Sequence, residues 1–244
     1  MIVLSLVASL IAVIWTVVCS IASFIVAVID KSGKSYHWVG KVWSQGLLLF
    51  YGVQLKVTGR ENIDHRRKYV FVSNHVSFMD IPVLLAGINV DIRLTYRSTL
   101  TRMPVWGWAL RYGHFLMIDR SNPMQAKKTI ERAIKMLHGG ASIQLFPEGT
   151  RSKSGRLQQF KRGAFSLAYE AKAPILPVAI CGIHAVMPRN SYLPKWGGKV
   201  ELRIGQPIEP IMVEAPESRA EEVRLMHLAE EKVHKLLEKA QHSA

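Results

Sequence analysis

A histidine and an aspartate stand five positions apart in the run Asn74-His75-Val76-Ser77-Phe78-Met79-Asp80, directly after the strand-like Tyr69-Val70-Phe71-Val72-Ser73. A carboxylate beside an imidazole fixes its tautomer and stabilises the imidazolium, so the pair has the makings of a general base. The place also fits, because α/β proteins carry their chemistry where a buried strand opens into a turn. No G-x-S-x-G nucleophile elbow occurs in the chain. The hydroxyl that such a base would activate therefore has to arrive with a substrate.

A second constellation follows the run Ser142-Ile143-Gln144-Leu145-Phe146, in Pro147-Glu148-Gly149-Thr150-Arg151-Ser152. Pro147 fixes φ and Gly149 permits an unusual one, so the loop is shaped. Arg151 offers a planar fork suited to phosphate, with Thr150 and Ser152 as further donors. Lys153, Arg156, Lys161 and Arg162 come next with no intervening acid, and Gly163 opens a helix whose first amides can also face an anion. A phosphate pocket and an ordinary solvated basic loop both fit this pattern. A third run, Gly113-His114-Phe115-Leu116-Met117-Ile118-Asp119-Arg120, is a strand ending in an Asp-Arg pair that by itself reads as a surface salt bridge. Arg97, at the end of another strand, is equally open. His65, His114 and His184 have no carboxylate at a telling spacing, and no histidine set has metal-ligand spacing.

These motifs need a scaffold. After residue 52, β-branched and aromatic content predicts strands at 53–58, 69–73, 92–96, 115–118, 142–146, 175–180 and 199–204. Helices are expected at 104–112, 123–138, 163–172 and 217–240. Asn122-Pro123 caps the second of these and Gly139-Gly140 stops it. The alternation points to an α/β fold, a single domain at 52–244 with a central, mostly buried sheet flanked by helices.

Residues 1–51 read as a membrane-anchoring helical segment. Met1 to Ile29 carry no charged side chain, and about 20 apolar residues suffice to span a bilayer core. Lys31, Lys34 and Lys41 follow, a bias that places the domain on the cytoplasmic side of the inner membrane. His37 to Tyr51, rich in aromatics, is expected to form a second helix on, or dipping into, the same leaflet. The 244 residues carry a formal net charge of +14, which calls for anionic partners. Cys19 and Cys181, far apart, argue against a disulfide framework or a cysteine-based zinc site.

In order, Asn74-His75-(four residues)-Asp80, the run from Gly113 to Arg120, Phe146-Pro147-Glu148-Gly149-Thr150-Arg151-Ser152 and Ile175-Leu176-Pro177-Val178-Ala179-Ile180 resemble the glycerophospholipid acyltransferases, most of all the bacterial 1-acyl-sn-glycerol-3-phosphate acyltransferases. The resemblance covers roughly residues 50 to 210. It implies that His75 and Asp80 are a catalytic dyad acting on the 2-hydroxyl of lysophosphatidic acid. It implies that Glu148, Gly149, Thr150, Arg151 and Arg120 serve the glycerol phosphate, with Lys161 as a further candidate. Arg97 stands where relatives often carry a lysine. It implies acyl-CoA or acyl-carrier protein as co-substrate, no metal or other cofactor, phosphatidic acid as product, and a membrane with anionic lipid as partner.

Three rivals remain at this stage. One is the same chemistry on another acceptor, such as lyso-ornithine lipid, glycerol 3-phosphate, another lysophospholipid or a lipid A precursor. Another is a membrane-bound hydrolase activating water. The third, a basic nucleic-acid-binding membrane protein, has little support, because only Phe160 interleaves with the basic run from Arg151 to Arg162.

Overall fold

The computed structural model describes residues 2–103, 106–118, 123–191, 193–214 and 217–238, and at 97, 106, 118 and 123–127 the backbone alone. Two helices lead: α1 (Ile2–Ile29) and α2 (Lys34–Phe50). Then follow β1 (Val53–Thr58), β2 (Val70–Ser73), α3 (Asp80–Gly87), β3 (Ile92–Arg97), α4 (Trp106–Tyr112), β4 (Leu116–Ile118) and α5 (Pro123–His138). The chain continues through β5 (Ser142–Leu145), α6 (Gly163–Glu170), β6 (Ile175–Cys181), the single turn α7 (Ile183–Val186), β7 (Gly198–Ile204) and α8 (Ser218–Glu238).

The seven strands form one sheet in the order β1-β7-β6-β2-β5-β3-β4. β6, β2, β5, β3 and β4 run parallel, β7 is antiparallel to β6, and β1 is parallel to β7. The strands alternate their side chains between two cores. Tyr69 and Phe71 face α1, α2 and α3, whereas Val70 and Val72 face α5, α6 and α8. The central strands are apolar on both faces because helices cover both. The single α/β domain with a flanked sheet is as the sequence implies. The antiparallel return of β7 was not legible, since period-2 patterning carries no strand direction.

α3 lies where β2 was expected to hand over to a helix, but it was not among the helices given bounds. Its sequence, Asp-Ile-Pro-Val-Leu-Leu-Ala-Gly, is apolar nearly all round and buries Pro82, Val83, Leu84, Leu85 and Gly87. A helix without a polar face leaves no periodic signal. Pro82 is tolerated because it sits in the first turn.

α1 is amphipathic in an inverted sense. Its buried residues are Ser5, Ala8, Ala12, Cys19, Ser20, Ser23 and Ala27, while its leucines, isoleucines and valines point outwards. Small residues let the helix lie close against α2 and α4. Polar contacts line the seam: Ser9 Oγ with Tyr51 Oη at 2.9 Å, Trp43 Nε1–H to Thr16 Oγ1 at 3.0 Å, and Trp15 Nε1–H to the Trp43 carbonyl at 3.1 Å. Near its start, Ser5 Oγ accepts the Trp196 amide at 3.0 Å. At its far end the buried Arg93 of β3 donates to the carbonyls of Gly33 and Ser32, at 2.7 and 3.1 Å, and pins the turn into α2.

α2 begins three residues before the expected start and has two kinds of face. Tyr36, Val39, Leu47 and Leu48 are buried against the domain, while Trp38 and Leu49 are exposed. Helix α1 is long and apolar enough to cross a membrane.

The α1–α2 seam can be tested at Gly46, where an added Cβ would lie 2.3 Å from Trp15 Nε1. Gly46→Leu should lower the thermal midpoint in detergent, because overpacking costs about 1–3 kcal/mol and exceeds the helix-propensity gain of under about 1 kcal/mol. An unchanged midpoint would show that α1 does not dock on α2.

Candidate active site

β2 ends in mid-sheet, and its last residues are tied on both sides. Asn74 exchanges two hydrogen bonds with Ile180 of β6, at 2.8 and 3.0 Å. Gln144 of β5 donates to Ser73 Oγ at 2.9 Å. The register pairs Val72 with Leu145, and Ser73 with Val178. The carboxyl ends of β2 and β5 are therefore level, and the loops that leave them meet.

In the first loop, Asp80 is fully buried at the start of α3. Its Oδ2 accepts from His75 Nδ1 at 2.7 Å, from the Val76 amide at 2.7 Å and from the Ser77 amide at 2.9 Å. Since a carboxylate only accepts, the proton of this contact sits on Nδ1, and Nε2 keeps its lone pair. Phe146 stacks on the imidazole, with centroids 3.9 Å apart and planes at 18°. The ring is thus held by its edge and its face, and its side chain is 19% exposed. Ser73, Ser77 and Ser152, which flank His75 and Arg151 in the two loops, are all buried, at no more than 1% exposure. None is open as a covalent nucleophile.

The second loop divides its residues between interior and surface. Glu148 is 2% exposed and faces inwards. Its Oε1 accepts the His75 amide at 2.5 Å, and its Oε2 accepts the Gln158 amide at 3.1 Å and Gln158 Nε2 at 2.8 Å. Gln158 Nε2 also donates to the Thr150 carbonyl at 2.9 Å, and the Ser152 amide donates to the His75 carbonyl at 2.7 Å. The 148–158 loop therefore grips the histidine by both backbone groups. In this geometry Glu148 holds His75 rather than an outside anion. Its neighbour Gly149, at φ 79°, turns the chain in a conformation L-residues rarely adopt. Arg151 consequently points the other way, with its guanidinium carbon 3.7 Å above the ring of Phe78.

Of the expected site residues, His75, Asp80, Glu148, Gly149, Thr150 and Arg151 come together at one end of the sheet. Lys161 is exposed beyond the same loop, and its amide donates to the Pro147 carbonyl at 2.9 Å. Arg97 closes β3 with its side chain outside the described residues, as is the whole of Arg120. Sequence reasoning missed Phe146, Gln158 and Arg189. Phe146 was visible only as the last residue of a strand, and Gln158 only as a polar residue in a basic loop. Arg189 Nη1 donates to the Arg151 carbonyl at 2.6 Å, a contact across 38 positions that no local pattern announces.

A family model described as acyltransferase matches residues 54–181, from β1 through the whole site to β6. The chain belongs to the acyltransferase family. Among relatives of this acyltransferase-family chain is a chloroplastic 1-acyl-sn-glycerol-3-phosphate acyltransferase of Brassica napus, 33% identical over 177 residues that cover 72% of this chain and 51% of that one. An enzyme of the same activity from Saccharomyces cerevisiae is 29% identical over 195 residues, 77% of this chain and 62% of that one. The chain spans about half the length of the plant relatives it matches. The crystal structure of the 1-acyl-sn-glycerophosphate acyltransferase PlsC from Thermotoga maritima superposes with a TM-score of 0.78 at 25% identity, covering 96% of this chain and 95% of that one.

Burial pushes the Glu148 carboxyl up to about 7, although hydrogen bonds from His75 and Gln158 act to lower it. The folded value lies above the unfolded one, so the folded chain retains a proton that the unfolded chain gives up. That contribution to stability is complete below the ordinary carboxyl range and is lost as pH rises through about 7. Denaturant midpoints of the wild type should fall between pH 5 and 8 relative to those of Glu148→Gln. Parallel pH profiles would contradict the buried placement of Glu148.

Proposed function

We propose that this protein transfers an acyl chain from an acyl thioester, acyl-CoA or acyl-carrier protein, to the 2-hydroxyl of 1-acyl-sn-glycerol-3-phosphate, giving phosphatidic acid. The observation that carries the reading is a histidine whose Nδ1 donates to a buried aspartate, which leaves Nε2 with its lone pair, flanked by buried serines and beside an arginine stacked on Phe78. The names borne by the relatives and by the superposing structure support it.

His75 Nε2 takes the proton of the acceptor's 2-hydroxyl as its oxygen attacks the thioester carbonyl carbon. Asp80 stabilises the imidazolium that forms. The tetrahedral intermediate collapses, the C–S bond breaks, and the thiolate leaves with the proton returned by His75. The acceptor supplies the nucleophile, so the reaction requires no acyl-enzyme, metal or other cofactor. Arg151 binds the acceptor phosphate. Small cavities flank the sheet on both faces, and the larger has room for a short stretch of acyl chain. A cavity of about 60 Å³ adjoins Ile81 and Leu85 of α3, Trp43 and Phe115. Another of about 230 Å³ adjoins Phe146, Pro147 and Lys161.

The substrates live in a bilayer. A 28-residue helix is long enough to cross one, yet α1 has the domain along one side from Ser5 to Ala27. We read it as lying within one leaflet, its large apolar side chains in lipid and Trp38 at the interface. Lys31, Lys34 and Lys41 face anionic headgroups on the cytoplasmic side of the inner membrane.

Purified protein supplied with lysophosphatidic acid and an acyl thioester should release free thiol and phosphatidic acid in equal amounts. Thiol without phosphatidic acid would indicate hydrolysis or another acceptor. Absence of both products, with CoA and carrier-protein donors alike, would refute acyl transfer. His75→Ala should lower turnover by about 10²–10⁴-fold, the usual worth of a general base, while membrane association persists. Arg151→Ala should raise the acceptor KM by roughly tenfold or more, the worth of a charge-assisted hydrogen bond, with little change in the donor KM.

A further inference from the structure

Arg151 and Arg189 are clipped together backbone to side chain in both directions. Arg189 Nη1 donates to the Arg151 carbonyl at 2.6 Å, and Arg151 Nη1 reaches the Arg189 carbonyl at 3.4 Å. Arg189 lies in the segment between α7 and β7, beyond the region that the acyltransferase family model matches. It is half-buried, and among the described residues no carboxylate forms an ion pair with it. Phe78, whose ring carries the Arg151 guanidinium, is only three positions from His75 and is 43% exposed. The Arg189 side chain thus reaches the backbone of the loop that carries Arg151, beside the His75 loop.

Two cationic side chains beside one loop attract a doubly charged anion more strongly than a singly charged one. A phosphomonoester suits such a pair better than a phosphodiester. Its second ionisation falls near pH 6, so at neutral pH it carries close to two charges and three terminal oxygens. A phosphodiester has one charge, and its second ester blocks one fork. We propose that Arg189 is a second phosphate-binding residue, and that the Arg151–Arg189 pair selects a lysolipid ending in a bare phosphomonoester over one whose phosphate is esterified again. The proposal rests on the acyl-transfer reading of the His75 site and adds a residue that sets its preference among acceptors.

Two arms test it. In mixed micelles the full chain and Arg189→Gln are assayed with one acyl thioester and two acceptors, 1-acylglycerol 3-phosphate and lysophosphatidylglycerol. Arg189→Gln should raise KM for the monoester by about tenfold, as expected for a lost charge-assisted contact, with kcat within about threefold. The slow diester rate should barely move, so the selectivity ratio falls. Arg189→Lys, which keeps a cation and a donor, should recover part of the loss. A KM shift below about twofold, or an equal kcat loss on both acceptors, would overturn the proposal, the latter by showing a purely structural clip.

The second arm measures binding of glycerol 3-phosphate to the His75→Ala chain with and without Arg189→Gln, which requires no turnover. Affinity about tenfold weaker without Arg189 supports the proposal even if no acyl transfer is found. Equal affinities, or no binding at millimolar ligand, overturn it whatever the first arm shows.

Discussion

A carboxylate with no access to water is costly unless its lone pairs are met by donors. Asp80 meets that condition at one oxygen, Oδ2, which takes the His75 ring N–H and the amides of Val76 and Ser77, while Oδ1 is buried with no hydrogen-bond partner among the described residues. The loop from 75 to 80 is wound so that these donors converge, and α3 starts at the residue they converge on. The same contact leaves Nε2 as the open nitrogen of the imidazole. Loop shape, helix start and tautomer therefore share one cause. The ties from Asn74 to β6 and from Gln144 to Ser73 hold the strand beneath that loop at a fixed height.

The second buried carboxylate works on the backbone of the same histidine. Glu148 takes the His75 amide, and Gln158 fills its other oxygen. Burial makes the charged form of Glu148 expensive, and its carboxyl rises accordingly. Three positions on, Arg151 faces outwards over Phe78. Residues that stand together in the motif thus serve opposite sides of the loop. The left-handed backbone of Gly149 separates them, and a Cβ at that position would oppose the turn.

The chemistry sits close to a surface suited to lipid. α1 turns its small residues to the protein and its large ones away, the reverse of a water-facing amphipathic helix. In a bilayer that polarity satisfies both sides, because large aliphatic groups meet lipid and small ones permit close helix contact. The Trp15–Trp43 contact ties α1 to α2, and Arg93 of β3 ties the turn between them to the sheet.

The amino-acid sequence alone determined the α/β class, the apolar leader, the dyad of His75 and Asp80, and the joint presence of Glu148 and Arg151 in one loop. These are legible because they depend on local chemistry: burial sets strand content, and an imidazole can pair with a carboxylate a few positions away. It did not give the bounds of α3, whose uniformly apolar residues carry no period, or the reversed direction of β7. Tertiary structure alone decided that Glu148 faces in while Arg151 faces out, that Phe146 and Gln158 brace the histidine, and that Arg189 lies beside Arg151. Those are contacts between strand ends and loops far apart in the chain. They exist only because the register brings the ends of β2 and β5 level, and register is set by packing across the whole sheet.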